Sequence, residues 1–211
     1  MQFFQSDIIE NDIGDNSINE NDAIEPENRK YIYHAQEKSG LYRIQAIRNF
    51  ADVKSGDIGG LIESEFNLSH DGDCWIYDDA IAIQNSKVFG NAKMHGNSIA
   101  LGNAWIFESA EAFGSSILAG YSRIRGDAKL SDNCIVTGLA RILESAYICE
   151  NAFICDSTTV SGKAVVCGNA YVGGNSHLLG NAEAHDNATI IDSTCSNNAK
   201  LSCFYIHQKI E

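Results

Sequence analysis

From Gly72 to Ile191 the chain divides into twenty consecutive six-residue units without an insertion or deletion, starting GDCWIY, DDAIAI, QNSKVF, GNAKMH and ending GNAEAH, DNATII. The fifth position of every unit is aliphatic or Met, from Ile76, Ala82 and Val88 to Ile190. The third is always small, with twelve Ala, five Ser, two Cys and one Thr. A fixed period held this long constrains the fold more than any other feature of the chain. Helical spacing would drift through a period of six, and an ordinary hairpin protein would not hold one phase for so many residues. The repeat fits a parallel β-solenoid whose flat sides are each one unit long. Positions three and five, two residues apart, share the inner face, and positions four and six point outward. Position one is Gly in twelve units and position two is Asn in ten, residue types that accept the left-handed backbone of a corner. Three sides close a coil of eighteen residues, so twenty units predict about seven coils and a prism on the order of 30 Å long at about 4.8 Å per coil.

The pattern resembles the hexapeptide-repeat, left-handed β-helix proteins over more than half of the chain. The resemblance implies an all-β fold, a single-stranded left-handed parallel β-helix with an N-terminal cap. Handedness comes from the resemblance alone, since general rules favour right-handed crossovers. The lead-in LYRIQAIRNFADVKSGDIGGLIESEFNLS (Leu41 to Ser69), running into GNA-type repeats, is similar to the YdcK-like group of bacterial hexapeptide-repeat proteins. Its members are usually described as acyltransferases, a label that follows from the fold.

Four segments are expected: an acidic lead-in over 1–28, a cap over 29–71, the repeats over 72–202 and a tail over 203–211. The lead-in carries eight acidic residues and no Lys or Arg. From Arg29 an apolar, partly alternating stretch with Tyr31, Tyr33, Tyr42, Ile44 and Phe50 reads as one or two strands covering the open edge of the first coil. After Ile191 the phase slips by one residue, and the tail is read as a cover for the last coil.

The net charge is −13, from 15 basic and 28 acidic residues. That balance argues against direct binding of nucleic acids or anionic membranes, although an acidic rod is one shape that can mimic a nucleic acid. Seven scattered Cys without a CxxC pair and no apolar run of membrane length point to a cytoplasmic, reducing location.

Counting in eighteens assigns each outward residue to a side. One side carries Ile81, Ile99, Ile117, Ile135, Phe153, Tyr171 and Thr189 at position four, and Ile83, Leu101, Ala119, Thr137, Cys155, Gly173 and Ile191 at position six, with no charge among them. An apolar surface of that extent is expected to be covered. The candidates are a second or third copy of the chain, residues 1–50 folded back along the prism, or another protein. The interface residues are Ile81, Ile83, Ile99, Leu101, Ile117, Ile135, Phe153, Tyr171 and Ile191.

A second side centres on Trp105, Phe107, Arg123, Arg125 and Arg141. This basic and aromatic cluster suits a phosphate, a carboxylate or an acidic segment, the chain's own lead-in included; the alternative is a solvated face with Arg packed over rings. On the third side, outward Trp75, Lys93, Glu111 and Lys129 lead to Cys149, Cys167 and His185 stacked on successive coils beside Glu183. Without a reinforcing motif this ladder is not assigned as a metal site.

As a family, hexapeptide acyltransferases form trimers, bind acyl-CoA in the groove between subunits and use a His as general base. They generally also carry a protruding loop, which this unbroken run of hexads lacks. His177 is the candidate base if the chain is an enzyme, with acyl-CoA the only cofactor implied. The reading favoured by the residues is a non-catalytic scaffold or protein-interaction module that self-associates through the Ile-rich side. The alternatives are an acyltransferase and an acidic nucleic-acid mimic.

Overall fold

A computed structural model describes residues 28–36, 39–202 and 205–207, the last three by their backbone alone. Two- and three-residue strands, one per hexad, stack in parallel and, with the strands that precede and follow the repeat, form three sheets of eleven, eight and seven strands. Partners are eighteen residues apart: Ile99 pairs with Ile117, Ile117 with Ile135, and Ile135 with Phe153. The result is a three-sided parallel β-solenoid of about eight turns. In all twenty hexads the residues at positions three and five are buried, from Cys74 and Ile76 to Ala188 and Ile190, each with no exposed surface. The core is therefore a column of small and aliphatic side chains in alternating layers, continuous along the prism.

The corners follow from the first position. All twenty of its residues have positive φ: twelve are Gly, and the others are Asp78, Gln84, Glu108, Asp132, Glu144, Glu150, Asp156 and Asp186. A left-handed conformation costs a non-glycine residue roughly 1–2 kcal/mol, and five of the eight offset it in the same way. The N–H at position one has no backbone acceptor in the coil ladder. Asp78, Gln84, Glu108, Asp132 and Asp156 place a side-chain oxygen 2.9, 2.7, 2.8, 3.1 and 2.9 Å from the N–H of the corner residue one coil on. Part of the chain's acidity is thus corner architecture. At position two, Asn133, Asn151, Asn169 and Asn187 join side chain to side chain on successive coils at 3.3–3.4 Å.

The parallel ladder reaches past the twenty hexads at both ends. Strand β3 (Ile58–Ile62) pairs in parallel with Ile81–Ala82, and Leu68 bridges Val88. Both offsets are twenty residues, so a coil begins before Gly72 and is lengthened by two. At the other end Thr194–Cys195 pairs with His177–Leu178, Lys200–Ser202 with Glu183–His185, and Tyr205–His207 with Thr189–Ile191.

Strands β1 (Tyr31–Ala35) and β2 (Tyr42–Ala46) add to β3 antiparallel, closing one end of the eleven-stranded sheet. The described part of the 1–50 segment thus stacks on the end of the prism and does not lie along its Ile-rich side; residues 1–27 fall outside the described residues. Several expected outward residues are buried by packing, Trp75, Phe107, Cys149, Cys155 and Gly173 among them. Trp75 is buried under the cap, with Phe50 at 5.4 Å and Tyr31 at 6.1 Å between centroids. Phe107 is buried by a flat stack with Phe89 at 4.8 Å.

Candidate functional site

The uncharged side forms one flat face. Register places Ile81, Ile99, Ile117, Ile135, Phe153, Tyr171 and Thr189 in a single column. Each is only half-buried, since neighbouring coils shield the flanks of a side chain and leave its tip open. Phe153 and Tyr171 stack at 5.6 Å. At the corner leading from this face to the basic side, Tyr121 and Leu139 occupy the same position on consecutive coils and are 56% and 57% exposed. They widen the apolar strip where Ile117 and Ile135 cross it. Neither was singled out from the sequence, because position two elsewhere is mostly Asn and reads as a polar corner.

The basic side is a row of alternating rings and cations. The Lys87 ammonium lies 3.9 Å from the Phe66 centroid and 5.7 Å from that of Trp105, and the Arg123 guanidinium 4.1 Å from Trp105 on the other side. Arg141 follows Arg123 in register. Arg123 is largely engaged by the protein itself: its Nη1 donates to the carbonyls of Asn103, Tyr121 and Ser122 at 2.6, 3.0 and 3.1 Å. Burial, with Arg141 alongside, lowers its pKa, and burial alone lowers that of Lys87. Arg125 faces Glu108 at 3.4 Å, and that carboxylate also accepts the Gly126 N–H. Arg141 is exposed and forms no ion pair among the described residues. His177 is exposed on the same side but two strands beyond Arg141, with Thr159 between them. Phe66 lies in the 29–71 segment ahead of the regular hexads, so sequence counting could not place it at the foot of this row.

On the third side a contact from the cap assembles a cluster that spacing did not suggest. Asp52 Oδ1 accepts from the Tyr77 hydroxyl at 2.8 Å and from Lys93 Nζ at 2.7 Å, and His95 stacks on the Tyr77 ring at 4.2 Å. The Lys93 hydrogen bond holds the Asp52 carboxyl below the usual range, and burial lowers the pKa of His95. His95 is therefore a neutral imidazole near pH 7 with an aromatic floor. Cys149, Cys167 and His185 do stack on consecutive coils. Burial, first of all, pushes the Cys149 thiol up to about 12 and raises that of Cys167. Among the described residues no group of three or more His, Cys, Asp or Glu is placed to hold a metal ion. No helix among them is long and apolar enough to cross a membrane.

An unbroken run of six-residue rungs in three parallel sheets, closed at one end by an antiparallel cap, defines the chain as a hexapeptide-repeat β-solenoid. Within that class it is similar to the "Uncharacterized acetyltransferase YdcK" of Escherichia coli (strain K12), with 44% identity over 55 residues. The matched stretch is 26% of this chain and 17% of that protein, so the likeness is partial. It agrees with the resemblance carried by the lead-in motif. No family model matches the chain.

Proposed function

We propose that this protein is a rigid β-solenoid interaction module that associates with a second copy of itself through the Ile-rich face. The observation that carries the reading is the unbroken uncharged face, widened at its middle by exposed Tyr121 and Leu139. An apolar strip spanning all the coils would otherwise stand in water, and an aromatic and aliphatic centre is the composition of a protein interface core. A flat two-fold contact between identical faces closes without leaving an open edge. The test is solution mass by light scattering for the wild type and for Ile117→Glu/Ile135→Glu, with circular dichroism to confirm that both are folded. The expected result is a wild-type dimer and a folded monomeric variant. A wild type that is already monomeric at tens of micromolar overturns the reading.

A second reading, acyl transfer from acyl-CoA, is favoured by the similarity to a protein named as an acetyltransferase. On this reading the proton acceptor would be a neutral His. His95, stacked on Tyr77 and flanked by Lys93, is better placed than the isolated His177. Calorimetry with CoA tests it: the absence of binding removes its support.

A further inference from the structure

We infer that the row of cations and rings from Phe66 to Arg141 is the docking site of the chain's own residues 1–27. The first support is uncompensated charge. On a protein of net charge −13, Lys87 and Arg141 stand on one side without an ion pair among the described residues, and the carboxylate facing Arg125 is divided between it and a backbone N–H. The second is apolar surface beside that charge: Phe66 is 51% exposed and Trp105 is half-buried between two cations.

The third support is where the described chain starts. Asn28 precedes Arg29, which pairs with Glu65 at 3.5 Å. Glu65 adjoins Phe66, the ring under Lys87. The described chain thus starts at the foot of the row. Reach is ample, since 27 residues extend to about 90 Å at roughly 3.3 Å each, whereas the row from Lys87 to Arg141 spans three strand spacings, about 14 Å. The composition is complementary: eight Asp and Glu with no Lys or Arg, interleaved with two Phe and five Ile. Carboxylates suit Arg141 and Lys87, and the apolar residues suit the exposed rings. A tethered segment also has an effective concentration in the millimolar range, which favours it over the same segment of another molecule.

Trp105 is a built-in reporter, because the only other Trp, Trp75, is buried in the core. Acrylamide quenching of the full chain is compared with a full-length variant in which the eight acidic residues of 1–27 become Asn and Gln, and with Arg141→Glu. The wild type is expected to be protected at low salt, with quenching rising at least about twofold in 1 M NaCl as charge pairing is screened. Both variants are expected to quench at the higher level at every salt concentration. Equal quenching in wild type and neutralised variant overturns the proposal. So does a difference that ignores both salt and Arg141→Glu. Carbodiimide cross-linking of mixed light and heavy isotope-labelled wild type supplies a check that needs no variant. Cross-links between Lys87 and residues 1–27 that are all-light or all-heavy support docking within one chain. Mixed-label links place the segment on a second copy, and absence of any link to Lys87 leaves the row to another ligand; either result overturns the proposal.

Discussion

The ammonium of Lys30 lies 2.8 Å from the carbonyl oxygen of Cys74 and 3.3 Å from that of Gly72, with no exposed surface of its own. In the coils that follow, carbonyls at these two positions accept N–H groups from the coil before, as Ala110 does from Lys93 and Glu108 from Asn91. At Gly72 and Cys74 that coil is missing its rung, and Lys30 supplies the donors. Its remaining contacts, Cys74 Sγ at 3.1 Å and the Phe50 ring at 5.1 Å, complete the burial of the cation. Burial, the largest cause, lowers its pKa.

Lys30→Met keeps the apolar stem and orphans both carbonyls. The expected loss is about 2–4 kcal/mol of unfolding free energy by urea denaturation. A change below about 0.5 kcal/mol would show that the ladder does not need this terminator.

Acid should weaken the corners through Asp156, whose carboxyl is held below the ordinary Asp value of 3.8 chiefly by the Gly174 N–H. A depressed folded-state pKa gives stability that is complete above the unfolded value and disappears as pH falls through the folded one. Between about pH 5 and about pH 2.5 the wild-type melting temperature should therefore fall more steeply than that of Asp156→Asn, which keeps a side-chain acceptor that does not titrate. Parallel curves would disprove the link.

Left-handed glycines should differ sharply in their tolerance of a side chain, a coil corner such as Gly138 against Gly40 in the β1–β2 connection. At Gly138 (φ +71°) an added Cβ would lie 2.6 Å from the Asp156 nitrogen, whereas at Gly40 (φ +69°) it would meet nothing within 4 Å. Gly40→Ala should cost only the roughly 1–2 kcal/mol of the left-handed conformation, and Gly138→Ala about 1–3 kcal/mol more because a neighbouring backbone must shift. Equal losses in thermal melts would mean that the coils are not stacked so closely.

The cap contains a second acid-sensitive group. His70 Nδ1 accepts the Lys30 N–H at 3.2 Å, so the neutral ring carries its proton on Nε2, 2.8 Å from Glu65 Oε1, and it stacks on Tyr31 at 4.0 Å. Burial, the largest cause, lowers its pKa below 6.5, so the cap is at full strength above that value and weakens as pH falls beneath it. Trp75, packed against Tyr31, should report a reversible fluorescence change between about pH 7 and about pH 5. His70→Gln should abolish the change; its persistence would assign the transition to another group.

Much of the solenoid was legible because its interactions repeat at one spacing. Small Ala92 and aliphatic Met94 pointing inward, a left-handed residue at Gly90, and Ile99, Ile117 and Ile135 in one outward column all follow from counting in sixes and eighteens. The coil ahead of Gly72 left a trace that was missed: Ile62 and Leu68 are six apart, but two residues out of phase with Ile76, and the Gly-rich SGDIGG hid them in what reads as a cap.

The candidate site was less legible. Trp105, Arg123 and Arg141 were grouped correctly by register. That Arg123 is tied to three carbonyls and that Phe66 completes the row depends on contacts made by corners and by the segment ahead of Gly72. The Asp52, Tyr77 and Lys93 cluster joins residues 25 and 41 positions apart.

By itself, then, the sequence determined the solenoid, its inner and outer positions and the chemistry of its three sides, because each is set by a short-range alternation copied from coil to coil. The tertiary structure alone decided how the first rung is terminated, which cations are already engaged and what buries Trp75. Those depend on one irregular segment meeting the repeat at its end, where the period stops and only three-dimensional packing chooses partners.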